Sequence, residues 1–395
     1  MKFRRILSAL MSFAALTLVS CGGGGGGGIS GTGAAMGTLH LSIGDAPSCG
    51  YDAVNITVQK VRVHQSSTAA DGDAGWSEIV LAPAKRVDLL ALTNGVLAEL
   101  GQTQLPAGKY TQLRLVLAAN DATHSFANSV VPSGGSEVAL TTPSGQQSGI
   151  KANINIDVAA NQLADFVIDF DACKSIVKAG ASGKYLLKPV IQVVPHFVSG
   201  VAGFVHSSLL VAGASISLQQ AGVPVKSTVA DSGGFFLLQP VAPGSYDLVI
   251  TAPGRATAVV TGVPVAMDIV TTVNTDLTAI NPPTSGSGTL DGAVTTGAVS
   301  IDATVSAVQG LTGGFTITVA DGPVDATTGA YAYVLAIAPP MVAPYAVLPA
   351  TLLFTMDTTA AGQFTLRAIA SGVSKSVGPL TLTSGATIHT NFTFP

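Results

Sequence analysis

The chain has 395 residues, 47% of them hydrophobic and only 10% charged, against about 25% charged in an average soluble domain. That balance is too apolar for a disordered chain, and 18 Lys and Arg against 22 Asp and Glu leave no basic stripe to neutralise nucleic-acid phosphates. Forty-five Gly and 21 Pro predict many short strands punctuated by turns rather than long helices, and the length allows about two to four domains.

The chain opens with a positive head, Lys2, Arg4 and Arg5, and an apolar run from Ile6 to Val19. That run is too short for a stable membrane-spanning helix, so residues 1–21 are predicted to be a signal peptide. Its end, Leu18-Val19-Ser20-Cys21, resembles the lipobox of bacterial lipoproteins. The resemblance implies that Cys21 takes a diacylglyceryl group and becomes the mature N-terminus. Gly22, where sorted lipoproteins retained in the inner membrane carry Asp, implies an outer-membrane destination. The unbroken glycine run Gly22 to Gly28 opens a flexible tether over residues 22–36.

Strand-like sequence follows. Leu39-His40-Leu41-Ser42-Ile43 and Val54-Asn55-Ile56-Thr57-Val58 alternate apolar and polar residues with period two, and Val61 and Val63 continue with shifted parity, which predicts a β-bulge at Gln59-Lys60. Leu113 to Leu117, Phe166 to Phe170 and Tyr185 to Ile191 supply further strands. The stretch Val87 to Leu100 places its apolar residues so that either a short helix or a strand and loop accommodates them.

Several separated motifs in this region, Gly37 to Pro47, Trp76, Asp88-Leu89-Leu90, Leu92-Thr93-Asn94-Gly95, Leu105 to Tyr110, Asp169-Phe170-Asp171 and Tyr185 to Pro189, resemble domain of unknown function 4382. This β-rich family occurs behind bacterial lipoprotein signals, and its name implies no activity. The resemblance assigns residues 37–197 to a first β domain. A second unit, 198–280, carries Asp231-Ser232-Gly233-Gly234-Phe235-Phe236, Val241 to Leu248 and Pro253-Gly254-Arg255. These resemble the carboxypeptidase regulatory-like domain, a transthyretin-like sandwich that accompanies enzymes without itself being catalytic. Here glycine permits the tight turn and the aromatic two residues later plugs the core.

A linker is expected at 281–288, Asn281-Pro282-Pro283-Thr284-Ser285-Gly286-Ser287-Gly288, and a third sandwich at 289–395 as a divergent repeat of the second. Gly244-x-Tyr246-x-Leu248 with Gly254 has the spacing of Gly362-x-Phe364-x-Leu366 with Gly372, and the Gly-x-Tyr step recurs at Gly108 and Tyr110. Ala336 to Ala361 interrupts the third unit with a Pro-containing insertion, readable as extra strands or a long loop. The fold class expected is therefore all-β, with tandem antiparallel β-sandwiches.

Few constellations point to chemistry. With Cys21 lipidated, Cys49 and Cys173 remain in an oxidising compartment and are expected to form a disulfide; two buried free thiols are the alternative. Asp169 and Asp171, two apart on a strand, are candidate metal ligands or an acid–base pair, or else partners of Arg114, Lys174 or Lys188. Six dispersed histidines give no zinc-ligand spacing, and neither a Gly-x-Ser-x-Gly elbow nor a phosphate loop occurs. Trp76, the single tryptophan, follows a Gly- and Asp-rich loop and is either a sugar-binding platform at a sandwich end or a core residue at the start of a strand. These features predict a non-enzymatic, cofactor-free, lipid-anchored envelope or surface protein acting as a binding or spacer module. Its expected partners are the membrane, through the lipid, and a glycan or envelope protein. Carbohydrate binding through the sandwich domains and a cryptic hydrolase are the competing readings.

Overall fold

The computed structural model describes residues 35–45, 50–142, 148–211, 213–298 and 300–395. The signal peptide, Cys21, the glycine tether up to residue 34, and Cys49 lie outside the described residues. Among those described, no helix is long and apolar enough to cross a membrane.

In the first domain, β1 (Met36–Asp45), β4 (Ala98–Pro106), β9 (Leu163–Phe170) and β12 (Ile191–Pro195) form one sheet in the order β12-β9-β1-β4. The facing sheet is built on β2 (Tyr51–His64), β3 (Ser77–Asp88), β5 (Gly108–Leu117) and β8 (Ile150–Val158). It is extended by β6 (Ser129–Pro132), β7 (Val138–Thr141), β10 (Ile176–Lys178) and β11 (Tyr185–Leu187). Period-two alternation buries Leu39, Leu41, Ile43, Val54, Ile56 and Val58 between the sheets. The parity change in β2 is a bulge at Val58/Lys60. Val87 to Leu100 resolves into the end of β3, one 3₁₀ turn at Leu89–Ala91 and the start of β4.

The second domain has seven strands: β13 (Gly200–Phe204), β14 (Ser215–Gln220), β15 (Val223–Thr228), β16 (Phe235–Leu238), β17 (Gly244–Thr251), β18 (Ala258–Val265) and β19 (Val270–Thr272). The third has β20 (Ser287–Thr295), β21 (Ala303–Gly310), β22 (Thr316–Pro323), β23 (Ala330–Ala336), β24 (Met341–Pro344), β25 (Thr355–Met356), β26 (Gln363–Ala370), β27 (Val373–Thr381), β28 (Thr387–His389) and β29 (Phe392–Thr393).

The pairing repeats. The small sheet β16-β13-β19 of the second domain matches β23-β20-β28 of the third, each with one antiparallel and one parallel neighbour to its central strand. The sheet β15-β14-β17-β18 matches β22-β21-β26-β27. Within the first domain, β4-β1-β9 and β3-β2-β5-β8 follow the same pattern. Register shifts recur at the same place, at Tyr110/Gln112, Tyr246/Leu248 and Phe364/Leu366. Tyr110 and Tyr246 each donate their hydroxyl to the carbonyl four residues earlier, both at 2.9 Å. A buried ring is common to all three Gly-x-aromatic steps, and the two tyrosines also have their hydroxyls satisfied.

The insertion in the third unit is a pair of strands given to its neighbour. β24 pairs in parallel with β18, Ala258 opposite Met341 through Thr261 opposite Pro344, and β25 pairs with β24. Tyr345, Leu352 and Phe354 pack against the second domain's core, so its sheet has six strands. The expected linker is also bound: Pro283 accepts from the Ala256 N–H at 2.9 Å, Gly254 from Ser285 at 2.9 Å, and Arg255 donates to the Pro282 carbonyl at 3.2 Å. Rather than joining independent domains, it runs as a strap along the 252–257 loop.

In both later units one turn carries the chain from one sheet to the other, between β15 and β16 and between β22 and β23. In it Asp231 accepts from the N–H groups of Gly233 and Phe235, and Asp325 from those of Thr327 and Thr328. Gly234 (φ +85°) and Gly329 (φ +69°) follow, and an added Cβ at either meets a backbone carbonyl oxygen, of Val205 at 2.2 Å or of Val294 at 1.9 Å. Gly234→Ala and Gly329→Ala are each expected to cost about 2 kcal/mol or more. Gly244→Ala, whose Cβ meets only the Tyr246 ring at 3.2 Å, is expected to cost less than about 1 kcal/mol. Urea melts of the three variants check this ordering.

Candidate functional site

One group of polar residues converges where the three domains meet. β9 ends at Phe170, Asp171 caps the short helix α1 (Ala172–Ser175) by accepting from the Lys174 N–H at 2.9 Å, and the Lys174 ammonium stands 3.0 Å from Asp171 and 2.9 Å from Asp321 of the third domain. Burial works against the Lys174 charge, but the two carboxylates outweigh it and hold the amine well above its usual value. Asp169 accepts from Lys226 of the second domain at 2.5 Å, with the Lys226 side chain 7% exposed. The two aspartates read as candidate metal ligands are thus neutralised by two lysines reaching in opposite directions. Among the described residues no group of three or more His, Cys, Asp and Glu side chains is placed to hold a metal ion.

Other bonds close the same triangle. Asn94 joins the first domain to the second through Thr228 and the Leu237 N–H. Asp325 of the third accepts from the Gly180 N–H at 2.8 Å, and Lys188 donates to the Ile301 carbonyl at 3.0 Å. Gln219 and Thr318 exchange two hydrogen bonds between second and third domains, at 2.7 and 2.8 Å. An apolar seam of Val249, Val259, Leu311, Ile317 and Ala360 adds to that last boundary. Between these contacts lies a cleft of about 310 Å³, with Asp171, Cys173 and Lys174 on one wall, Ser215, Ser227 and Thr251 on another, and Val319, Asp321 and Tyr333 on the third.

Trp76 is neither core nor open platform. The guanidinium carbons of Arg62 and Arg114 stand 4.5 and 4.8 Å from its ring centroid, the His64 ring lies at 5.0 Å, and its N–H donates to the Ala70 carbonyl at 3.0 Å. The indole covers two cations, Arg114 itself being buried and bonded to the Ala69 carbonyl. A side-chain Ser–His contact at Ser208 and His206, 2.9 Å, is a helix cap: the same imidazole nitrogen accepts from the Ser208 N–H. That occupies the nitrogen a general base needs.

Sequence spacing gave no hint of a charge ladder on the outer face of the β12-β9-β1-β4 sheet. His40 lies 2.7 Å from Glu99 and 2.6 Å from Asp165, which also accepts from His196 at 2.9 Å. The four residues are as far as 156 positions apart in the chain, and only the β4-β1-β9-β12 pairing aligns them. Burial lowers the basicity of His40, but its hydrogen bonds to the Asp165 and Glu99 carboxylates outweigh that and raise its value. Burial raises the Asp165 carboxyl, but His40 and His196 outweigh that and lower it. Stability from His40 is complete below its ordinary 6.5 and is lost as pH rises through the raised folded value. That from Asp165 is present above its ordinary 3.8 and is lost as pH falls through the lowered one. His40→Gln is therefore expected to cost about 1 kcal/mol near pH 5.5 and clearly less near pH 8.5, measured by urea unfolding at both.

Comparison with known proteins places the two recognisable units. Residues 36–189 match the family model of a domain of unknown function, DUF4382, and residues 200–278 match that of the carboxypeptidase regulatory-like domain. No curated protein matches the chain. Among solved structures, a type II cohesin–X-dockerin complex from Acetivibrio cellulolyticus shares 26% identity over 20% of this chain and 55% of its own, with a TM-score of 0.18. The Bacillus anthracis TIE protein shares 11% over 91% of this chain and 50% of its own, TM-score 0.17. A streptococcal ancillary pilin shares 11% over 90% and 99%, TM-score 0.17. The chain spans only about half of the first two, and superpositions at these scores carry no argument. The chain therefore carries, in this order, a DUF4382 domain and a carboxypeptidase regulatory-like domain.

Proposed function

We propose that this is an exported, lipid-anchored protein of the bacterial envelope, destined for the outer membrane, whose β body works without catalysis as a binding and spacing module. The observation that carries the reading is the closed junction. Each of the three domains is bonded to both others, and residues 35–395 form one compact unit. A body braced this way holds its surfaces at a set geometry, and the glycine run behind Cys21 lets it stand off a membrane. Strand addition is the favoured mode of protein recognition. β27 is an edge strand of nine residues, all but Leu380 exposed, while the equivalent edge of the second domain, β18, is covered by β24. An oxidising compartment also supports a Cys49–Cys173 disulfide, since Tyr51, two residues beyond Cys49, lines one cleft with Cys173.

Fractionation of cells tests the anchor. The wild-type chain is expected in the outer-membrane pellet and Cys21→Ala in the soluble fraction; a soluble wild-type chain overturns the reading. Protease shaving of intact against lysed cells then assigns the face. For the disulfide, peptide mapping without reductant is expected to recover one linked Cys49–Cys173 peptide, and two separately alkylated thiols overturn it.

A further inference from the structure

The cleft at the three-domain junction contains polar groups that the fold leaves unused. Ser215, Ser227 and Thr251 are half-buried on its second-domain wall, and among the described residues none of their hydroxyls has a hydrogen-bond partner. Half-buried hydroxyls left this way hold water or a ligand. Opposite them, Asp321 has one carboxylate oxygen on Lys174 and a second without a partner among the described residues. The ammonium of Lys174 carries three protons and meets two carboxylates. The Tyr333 hydroxyl is spent on the Val305 carbonyl at 2.5 Å, so its ring, with Pro224 and Val319, offers an apolar wall.

Hydroxyls, an ammonium and a carboxylate therefore share the cleft with an apolar patch, in a volume of about 310 Å³ that falls at the small end of ligand sites, and domain interfaces are where such sites concentrate. One lysine against two aspartates leaves the walls one negative charge in excess, which repels carboxylates and phosphates. We propose that the junction cleft binds a single sugar ring, neutral or amine-bearing, through the Ser215, Ser227 and Thr251 hydroxyls and the Asp321 carboxylate. Hydroxyl groups on a pyranose both donate and accept and so suit these hydroxyls and the carboxylate, and its C–H face suits Pro224, Val319 and the Tyr333 ring. The assignment rests on the binding-module reading but is independent of the lipid anchor.

Saturation-transfer NMR and calorimetric titration of the purified full chain with glucosamine, glucose and glucuronate test it. Glucosamine and glucose are expected to bind and glucuronate to bind at least tenfold more weakly. The double variant Ser215→Ala/Ser227→Ala is expected to weaken glucosamine about tenfold with an unchanged melting temperature. If that variant melts early, Thr251→Val is read instead, with the same expected direction. Chitosan oligomers separate the two sources: binding as tight as the monomer assigns a glycan terminus, and monomer binding alone assigns a free sugar. No saturation transfer from any of these sugars, a preference for glucuronate, or full affinity in the variants overturns the site. Failure here leaves the fractionation result standing, and a soluble wild-type chain leaves this titration standing.

Discussion

A lysine taken out of water has to meet an anion where it stands, and Lys226 meets Asp169 across a domain boundary. Lys174 does the same between Asp171 of its own domain and Asp321 of the third. In a chain with so few charges, these pairs fall at the boundaries rather than over the outer surface. Removing either lysine leaves at least one carboxylate partly buried and unneutralised, so the relative placement of the domains is tied to the identity of five side chains. The junction cleft exists because those pairs hold three walls at the distance they do.

The three domains also share one plan of strands. Each has a central strand with one antiparallel and one parallel neighbour, faced by a four-strand antiparallel core, with a bulge in β5, β17 or β26 beside a buried aromatic. Bulges raise local twist, and sheets that twist alike stack alike, which lets a similar core serve three times. Differences lie at the edges. The first domain widens its sheet with short strands, the second receives β24 and β25 from its neighbour, and the third keeps β27 open. An exposed edge invites pairing, and supplying the covering strand from the adjacent domain both protects the edge and joins the two domains.

The same scarcity of charge shapes the surface clusters. Arg62 and Arg114 are sheltered by the Trp76 ring and bonded to Asp71, so the single indole packs on two cations of the first domain. Hydroxyl groups do much of the remaining polar work, and three of them face the junction cleft without an internal partner among the described residues.

Much of this was legible from residues alone, because strand alternation, the Val58/Lys60 bulge and the glycine-turn-aromatic steps depend on backbone sterics and the solvation of near neighbours. The third unit's Asp325 to Tyr331 turn belonged to that class too, hidden because Ala326-Thr327-Thr328, one residue longer, stands where the second unit has Ser232-Gly233. Tertiary structure alone decided the rest. Asp171 found one of the partners its sequence offered, Lys174 three residues on, but Asp169 read equally well as a ligand, an acid–base partner or an ion-pair partner until strand order brought Lys226 to it from 57 residues away. Trp76 read as platform or core until β2 and β5 placed two arginines on it. The insertion at Ala336 to Ala361 read as loop or strands until the open edge of β18 supplied the backbone partners that β24 lacks in its own domain. Each of these outcomes turns on which distant segments meet, and a local pattern holds no information about that meeting.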